Sequence, residues 1–287
     1  MFMEIIKYIF LILLGIVLLA VLAAIPIMMK ARREADRLYD QYAFYTDSVL
    51  NERFELREFT VKLEYRKLHP AKFLKTMKFL MTSRQCDRLA RINSLDATMF
   101  YFMKMYTLMI RPDYAYNLPV LSIDFIFIGG TRMYVIEIID PAKIKDYNKE
   151  KHYAAMRALM PQVAKFKQSK VNDWFFDFIT DFSIHITANR ADDEVLFEVY
   201  KTYLNAYLDM VEQAEKVNSE QSLKLEAGLE LFVATLLDKG GPAVDVFETF
   251  MGPEKQREYI RTVMFGLEEP GTPPDCKQNS EYDIEGL

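Results

Sequence analysis

The stretch from Asn117 to Pro141 constrains the fold of this chain more than any other. It reads as two apolar strands joined by Gly129-Gly130. A Gly-Gly pair between such runs signals a two-residue hairpin, because both positions accept positive φ. So short a loop fixes the register: Ile128 faces Thr131, Asp124 faces Val135 and Ser122 faces Glu137. Side chains alternate faces at period two. Ser122, Asp124, Val135 and Glu137 therefore share one face, with the two carboxylates as diagonal neighbours. Two acids in the middle of an apolar hairpin are costly unless paired, hydrated or put to use.

The chain around the hairpin is rich enough in apolar residues, 51% with 14% aromatics, to bury a real core. Phe59, Val61, Leu63 and Tyr65 alternate with polar residues and predict a half-buried strand. Pro70 opens a short helix carrying Leu74 and Met77. Residues 84–92 and 99–110 predict further strands, sequential and antiparallel with the hairpin. Residues 143–170 predict a helical connector in which eight basic residues against two acids leave a balance of +6. Phe182, Ile184 and Ile186 alternate with Ser183, His185 and Thr187 as the last strand. From Val195 the chain reads as helical. One stripe holds Val199, Tyr203, Leu204, Tyr207 and Val211, and the next holds Leu225, Leu229, Phe232 and Leu236. Gly240-Gly241-Pro242 breaks this run before two last helices that end at Phe265. The expected fold is α/β: a three-layer α/β/α sandwich with a central antiparallel sheet, spanning residues 54–266.

Tyr8 to Met29 is 22 residues without a charge. At about 1.5 Å per residue it is long enough for a bilayer core. It predicts one N-terminal transmembrane helix, with the anchor at residues 1–30. Lys30, Arg32, Arg33 and Arg37 follow it, against Lys7 before it, which places the body on the cytoplasmic side. Leu38, Tyr42, Tyr45 and Val49 recur at helical spacing, so residues 31–53 read as an amphipathic juxtamembrane helix. Residues 267–287 hold six acids against Lys277, a net of −5 that equals the formal net charge of the whole chain, together with three prolines, and read as a disordered acidic tail. Cys86 and Cys276 give no disulfide framework. His69, His152 and His185 are scattered and give no metal site. There is no phosphate loop, and no nucleic-acid partner is expected.

The hairpin also carries a resemblance. Tyr116, Asn117, Leu118 and Pro119, then Asp124, Gly129-Gly130 and Pro141, follow the pattern of the central hairpin of the ferredoxin-dependent bilin reductases. Two later segments continue it. One runs from Trp174 to Phe197, and the other is Val246 to Phe265, with its Val-Phe-Glu-Thr-Phe-Met-Gly. The resemblance covers roughly residues 55–266. It implies a linear tetrapyrrole bound between one sheet face and the C-terminal helices, with no bound cofactor. Electrons come from reduced ferredoxin or a similar carrier, and protons from side chains.

The family's central Asp matches Asp124, whose carboxyl on a sheet face should be held protonated. Glu137 is a second candidate on that face. His185, which faces the same way as Ser183 and Thr187 on the last strand, is a third, taking the place of a catalytic His whose family position holds Thr107. Thr187 stands where the family's propionate-binding Arg falls, with Arg190 just beyond. A C-terminal Asp of the family falls near Gly241, with Asp238 the closest carboxylate. Catalysis is therefore assigned to Asp124, Glu137 and His185. Substrate contacts are assigned to Thr107, Ser122, Thr187, Arg190 and Asp238. Arg111 and Arg132, which flank the hairpin, are in a position to meet the pigment's propionates, but read first as solvated strand ends.

The expected function is a membrane-tethered reductase of a linear tetrapyrrole, docking an acidic electron-transfer protein on the basic connector. The alternative is a non-catalytic protein of the same fold, serving as a tetrapyrrole-binding or structural subunit beside other membrane subunits in the lipid bilayer.

Overall fold

A computed structural model describes residues 2–68, 77–100 and 102–267. The expected helix opened by Pro70 and the expected disordered tail lie outside those residues, apart from Met77 and Leu267 at their edges. The strands, in chain order, are β1 Arg57–Glu58, β2 Lys67–Leu68, β3 Lys78–Cys86, β4 Leu89–Met99, β5 Met103–Pro112, β6 Val120–Ile128, β7 Thr131–Ile139, β8 Lys167–Gln168 and β9 Ile184–Asn189. The α-helices are α1 Phe2–Arg53, α2 Leu63–Arg66, α3 Tyr147–Arg157, α4 Met160–Val163, α5 Asp193–Glu212, α6 Ser219–Lys239, α7 Pro242–Met251 and α8 Pro253–Glu258. A π-turn, Tyr259–Met264, follows α8.

The strands form one antiparallel sheet in the order β1-β3-β4-β5-β6-β7-β9-β8, with β2 also pairing β3. β3 to β7 are a continuous meander, and β9 adds to β7 after the α3–α4 crossing. The β6–β7 register is the one the Gly-Gly loop dictates: Asp124 opposite Val135, Ser122 opposite Glu137. Gly129 takes φ of 56°, the left-handed value that a two-residue hairpin needs.

Helices cover both faces. On one, Tyr106, Leu108, Ile123, Phe125, Phe127, Tyr134 and Ile136 pack against α1, α3 and α5. Phe125 sits at the centre of an aromatic cluster, its ring centroid 4.8 Å from Tyr42, 4.5 Å from Tyr134 and 5.4 Å from Tyr200. The tyrosine hydroxyls in this core are partnered: Tyr42 with Tyr134 at 2.9 Å, Tyr106 donating to Thr46 at 2.7 Å, Tyr207 donating to the Pro119 carbonyl at 2.9 Å. On the other face, Phe79, Met81, Leu95, Met109, Val120 and Ile139 pack against α6, α7 and the π-turn. The α/β/α layering follows because the strands put apolar side chains on both faces of the sheet.

Several expectations are corrected. No strand forms over 59–65: Leu63–Arg66 is a helical turn, with Leu63 exposed and Tyr65 buried against Tyr259, its hydroxyl on Glu258 at 2.8 Å. Residues 84–92 and 99–110 each run across a turn, so the meander holds one more strand than the sequence showed. The connector is helical only in part, ending in the edge strand β8. Its Lys149 is buried, ion-paired to Asp140 at 2.6 Å. Arg111 and Arg132 are buried as well. Arg132 ties the hairpin to α5 through Asp193 at 2.7 Å and to α1 through Glu34 at 2.5 Å.

The transmembrane expectation is also corrected. Among the described residues no helix is long and apolar enough to cross a membrane. Residues 2–53 form one helix without a break near residue 30. The periodic residues read as juxtamembrane belong to the core: Leu38, Tyr42 and Val49 are buried in it, with Tyr45 packed against it. Further towards the N-terminus, large apolar side chains from Ile12 to Met29 stand exposed.

Candidate active site

Period-two alternation places Thr107, Asp124, Glu137 and His185 on one face of four adjacent strands, β5, β6, β7 and β9. Thr107 is directly opposite Asp124, Asp124 opposite Val135, and Val135 opposite His185. Glu137 lies two residues beyond Val135, within reach of both neighbours. The outcome is two hydrogen-bonded pairs side by side. The Thr107 hydroxyl donates to Asp124 Oδ1. His185 Nε2 and Glu137 Oε1 are 2.9 Å apart. Ser122, directly opposite Glu137, gives Glu137 a hydrogen bond from behind.

The electrostatics favour protons on this face. Burial pushes the Asp124 carboxyl above its ordinary range, and the Thr107 hydrogen bond only partly opposes this. Glu137 is pushed up to about 8, first by burial and then by the charge of Asp124, with Ser122 acting the other way. Burial lowers His185 from its ordinary value. A carboxyl that resists ionising beside an imidazole that resists protonation makes a pair of no net charge with one proton between them. Asp124 supplies a second proton site on the adjacent strand. Glu137 and His185 each keep 13% of their side-chain surface exposed, so the pair is desolvated yet reachable.

Beside these groups, towards the Gly129-Gly130 turn, the same face carries Met105, Ile126, Met133 and Val135, none of them fully buried, with Met133 37% exposed. In the opposite direction the face closes under α6, α7 and the π-turn, where Met109, Val120 and Ile139 are buried. The acids thus stand at the boundary between a covered half and an open apolar half. Such a platform with a few convergent polar groups suits a flat, largely apolar ligand. The sequence did not single out Met105, Ile126 and Met133, although strand alternation places them on the Asp124 face.

The remaining candidates are more dispersed. Thr187 is on the same face of β9, its hydroxyl 3.3 Å from that of Ser169. Ser169 follows the edge strand β8, on which Lys167 pairs with Thr187. Arg190 is more than half exposed and ion-paired to Glu34 of α1 at 2.5 Å, apart from the acid pair. Asp238 is at the solvent-exposed end of α6, beside Lys239 at 3.5 Å. A cavity of about 470 Å³ lies elsewhere, between Tyr39 and Asp47 of α1 and Arg84 of β3, and is lined by none of the candidate catalytic or substrate-contacting residues.

Comparison with known proteins identifies the family and the fold. The family model described as "Ferredoxin-dependent bilin reductase" matches residues 45–266. The chain is 24% identical over 246 residues to the phycoerythrobilin:ferredoxin oxidoreductase of Gloeobacter violaceus, covering 80% of this chain and 96% of that one. It is 21% identical over 237 residues to the 15,16-dihydrobiliverdin:ferredoxin oxidoreductase of Nostoc punctiforme, covering 79% and 95%. The crystal structure of phytochromobilin synthase from tomato, in complex with biliverdin, superposes with a TM-score of 0.68 at 14% identity. That match covers 79% of this chain and 83% of that one, and it shows the shared fold.

Proposed function

The chain belongs to the ferredoxin-dependent bilin reductase family, and on that premise we propose that it reduces a linear tetrapyrrole with electrons from reduced ferredoxin or a similar small carrier. Reducing one double bond of such a pigment takes two electrons and two protons. The observation that carries the reading is that two proton-holding sites, Asp124 with Thr107 and Glu137 with His185, stand side by side at the edge of an open apolar platform. Asp124 acts as the first proton donor, and the Glu137–His185 pair holds the second proton and takes up the load when Asp124 is spent. Thr107 and Ser122 hold the two carboxyls in place. Thr187, at the rim of the same face, contacts the pigment, whereas Arg190 and Asp238 would need a bound ligand to draw them in.

The electron carrier is proposed to dock on Lys165, Lys167 and Lys170. All three are exposed, and they flank the edge strand that pairs with β9, one strand from His185. An acidic partner steered there arrives beside the platform. The location proposed is the cytoplasmic face of a membrane. The apolar side chains that α1 leaves exposed between Ile12 and Met29, followed by Lys30, Arg32, Arg33 and Arg37, fit contact with anionic lipid, which needs no spanning helix.

The direct experiment mixes the purified chain with biliverdin, follows the visible spectrum, and then adds ferredoxin with a reducing system. A shifted spectrum followed by bleaching or a new absorbing product is expected. A shifted spectrum without turnover favours the second reading, a non-catalytic tetrapyrrole-binding subunit. What favours that reading is that Thr107 and Thr187 stand where, by the resemblance, other members carry a His and an Arg. No spectral change at all removes both.

A further inference from the structure

A second cluster lies on the Asp124 face, at the far end of β4 and β5. Arg91 and Arg111 stand opposite each other in the sheet register, so two cations share one spot. Arg111 is 7% exposed and Arg91 is partly buried. Arg111 gives Nη1 to the Pro112 carbonyl at 3.1 Å and Nη2 to the Gly266 carbonyl at 3.3 Å. Arg91 gives Nη1 to the Ala90 carbonyl at 2.6 Å and to Gln85 Oε1 at 3.5 Å, with its guanidinium 3.4 Å above the Phe59 ring. These acceptors are neutral. The Nε of each arginine is buried without a partner among the described residues, as is the hydroxyl of Ser83 one row further in.

Buried charges without a counter-charge are expensive, and two like charges together more so. The cost shows in the guanidinium of Arg91, which burial and its neighbour Arg111 push down to about 10. Asp113 and Glu226 act on Arg111 through space without bonding to it. The backbone comes down onto the pair at Gly266, which has φ of 61°. A Cβ there would stand 2.8 Å from Arg91 Cγ and 3.3 Å from Arg111 Nη2.

We propose that the Arg91–Arg111 pair is a binding site for an oxyanion, a carboxylate or a phosphate. One source is the chain itself, since the acids that follow Gly266 in sequence are Glu268 and Glu269. The other is a free anion. The site does not depend on the bilin reading: Met109 and Asn93, both buried, separate it from Thr107 and Asp124.

Calorimetric titration with inorganic phosphate at low ionic strength tests it. The full chain is compared with the full-length Glu268→Gln/Glu269→Gln variant. Saturable binding near one phosphate per chain is expected for the Gln variant. Equal affinity in the unaltered chain identifies a free anion as the occupant. An affinity at least tenfold weaker in the unaltered chain identifies the tail carboxylates. In either case Arg91→Met and Arg111→Met should each abolish the binding. If Arg111→Met does not fold, Arg91→Met decides. Absence of saturable binding to both unmutated-arginine chains, or binding that survives loss of either arginine, overturns the proposal.

Discussion

The two faces of the β6–β7 hairpin were built from one alternating sequence and have opposite characters. Behind, Phe125, Phe127, Tyr134, Ile136 and Ile138 are at most 2% exposed and locked into rings from α1 and α5. In front, Asp124, Ile126, Val135 and Glu137 are all partly open. The buried face fixes the positions of the backbone atoms from which the front side chains project. The front face can then hold desolvated carboxyls that would destabilise a looser scaffold. The difference shows how a fold keeps costly groups in place: the polar side is braced by a strand that is fully packed one residue away.

The sharpest way to break this comparison is at Asp124. Asp124→Asn keeps shape and hydrogen bonding but cannot deliver a proton. It should leave pigment binding intact and slow turnover by about 10²–10⁴-fold, the usual weight of a general acid. Turnover at the unmutated rate in single-turnover absorbance measurements would make Asp124 structural. Next in size is the adjacent residue on the opposite face. Phe125→Ala empties the centre of the aromatic cluster and should cost about 3–5 kcal/mol in denaturant unfolding. A loss under 1 kcal/mol would mean that the back face does not brace the front.

A smaller effect concerns pH. Glu137 in the folded chain titrates at about 8, above its ordinary 4.5. Between those values the folded state keeps a proton that the unfolded state releases, so Glu137 makes stability fall as pH rises through this window. Asp124 acts in the same sense, while His185, lowered, opposes it below about 6.5. The cleanest window is therefore pH 6.5 to 8, and Glu137→Gln should flatten the decline seen there in urea midpoints. An unchanged slope would show that Glu137 is ionised throughout. The smallest effect tests the rim. Reversing Lys165, Lys167 and Lys170 to Glu should slow electron delivery roughly tenfold at low salt, a difference that shrinks at high salt as steering is screened. Equal stopped-flow rates at low salt would move the docking surface elsewhere.

What the sequence disclosed depended on whether local chemistry set the geometry. The hairpin register was legible to the residue because Gly129-Gly130 leaves few ways to turn, and with it the shared face of Asp124 and Glu137; that His185 joins them was set by the pairing of β9 with β7, which no local signal announces. The strand β4 was not legible. The turns on either side of it place Arg88 at φ of 68° and Phe100 at φ of 51°, left-handed positions that carry no glycine or asparagine to announce them. The apparent strand over 59–65 failed because tertiary contacts to Tyr65 outweighed alternation. In α1 the helical period was right, but periodicity says only that a face is apolar. That this face meets a sheet was set by residues far away in the chain. The burial of Arg91 and Arg111 was hidden for the same reason, since strand ends are solvated unless some other segment, here the one around Gly266, is folded onto them.

The unbroken course of α1 has a consequence for orientation. Fifty-two residues of helix, with Pro26 inside them, extend about 78 Å, and the half that enters the core is continuous with the half that leaves it. Whatever holds the outer end therefore sets the rotational phase of the whole body as well as its distance. One residue inserted near position 30 would turn the Asp124 face by about 100° about the helix axis, whereas seven would return it almost to where it began.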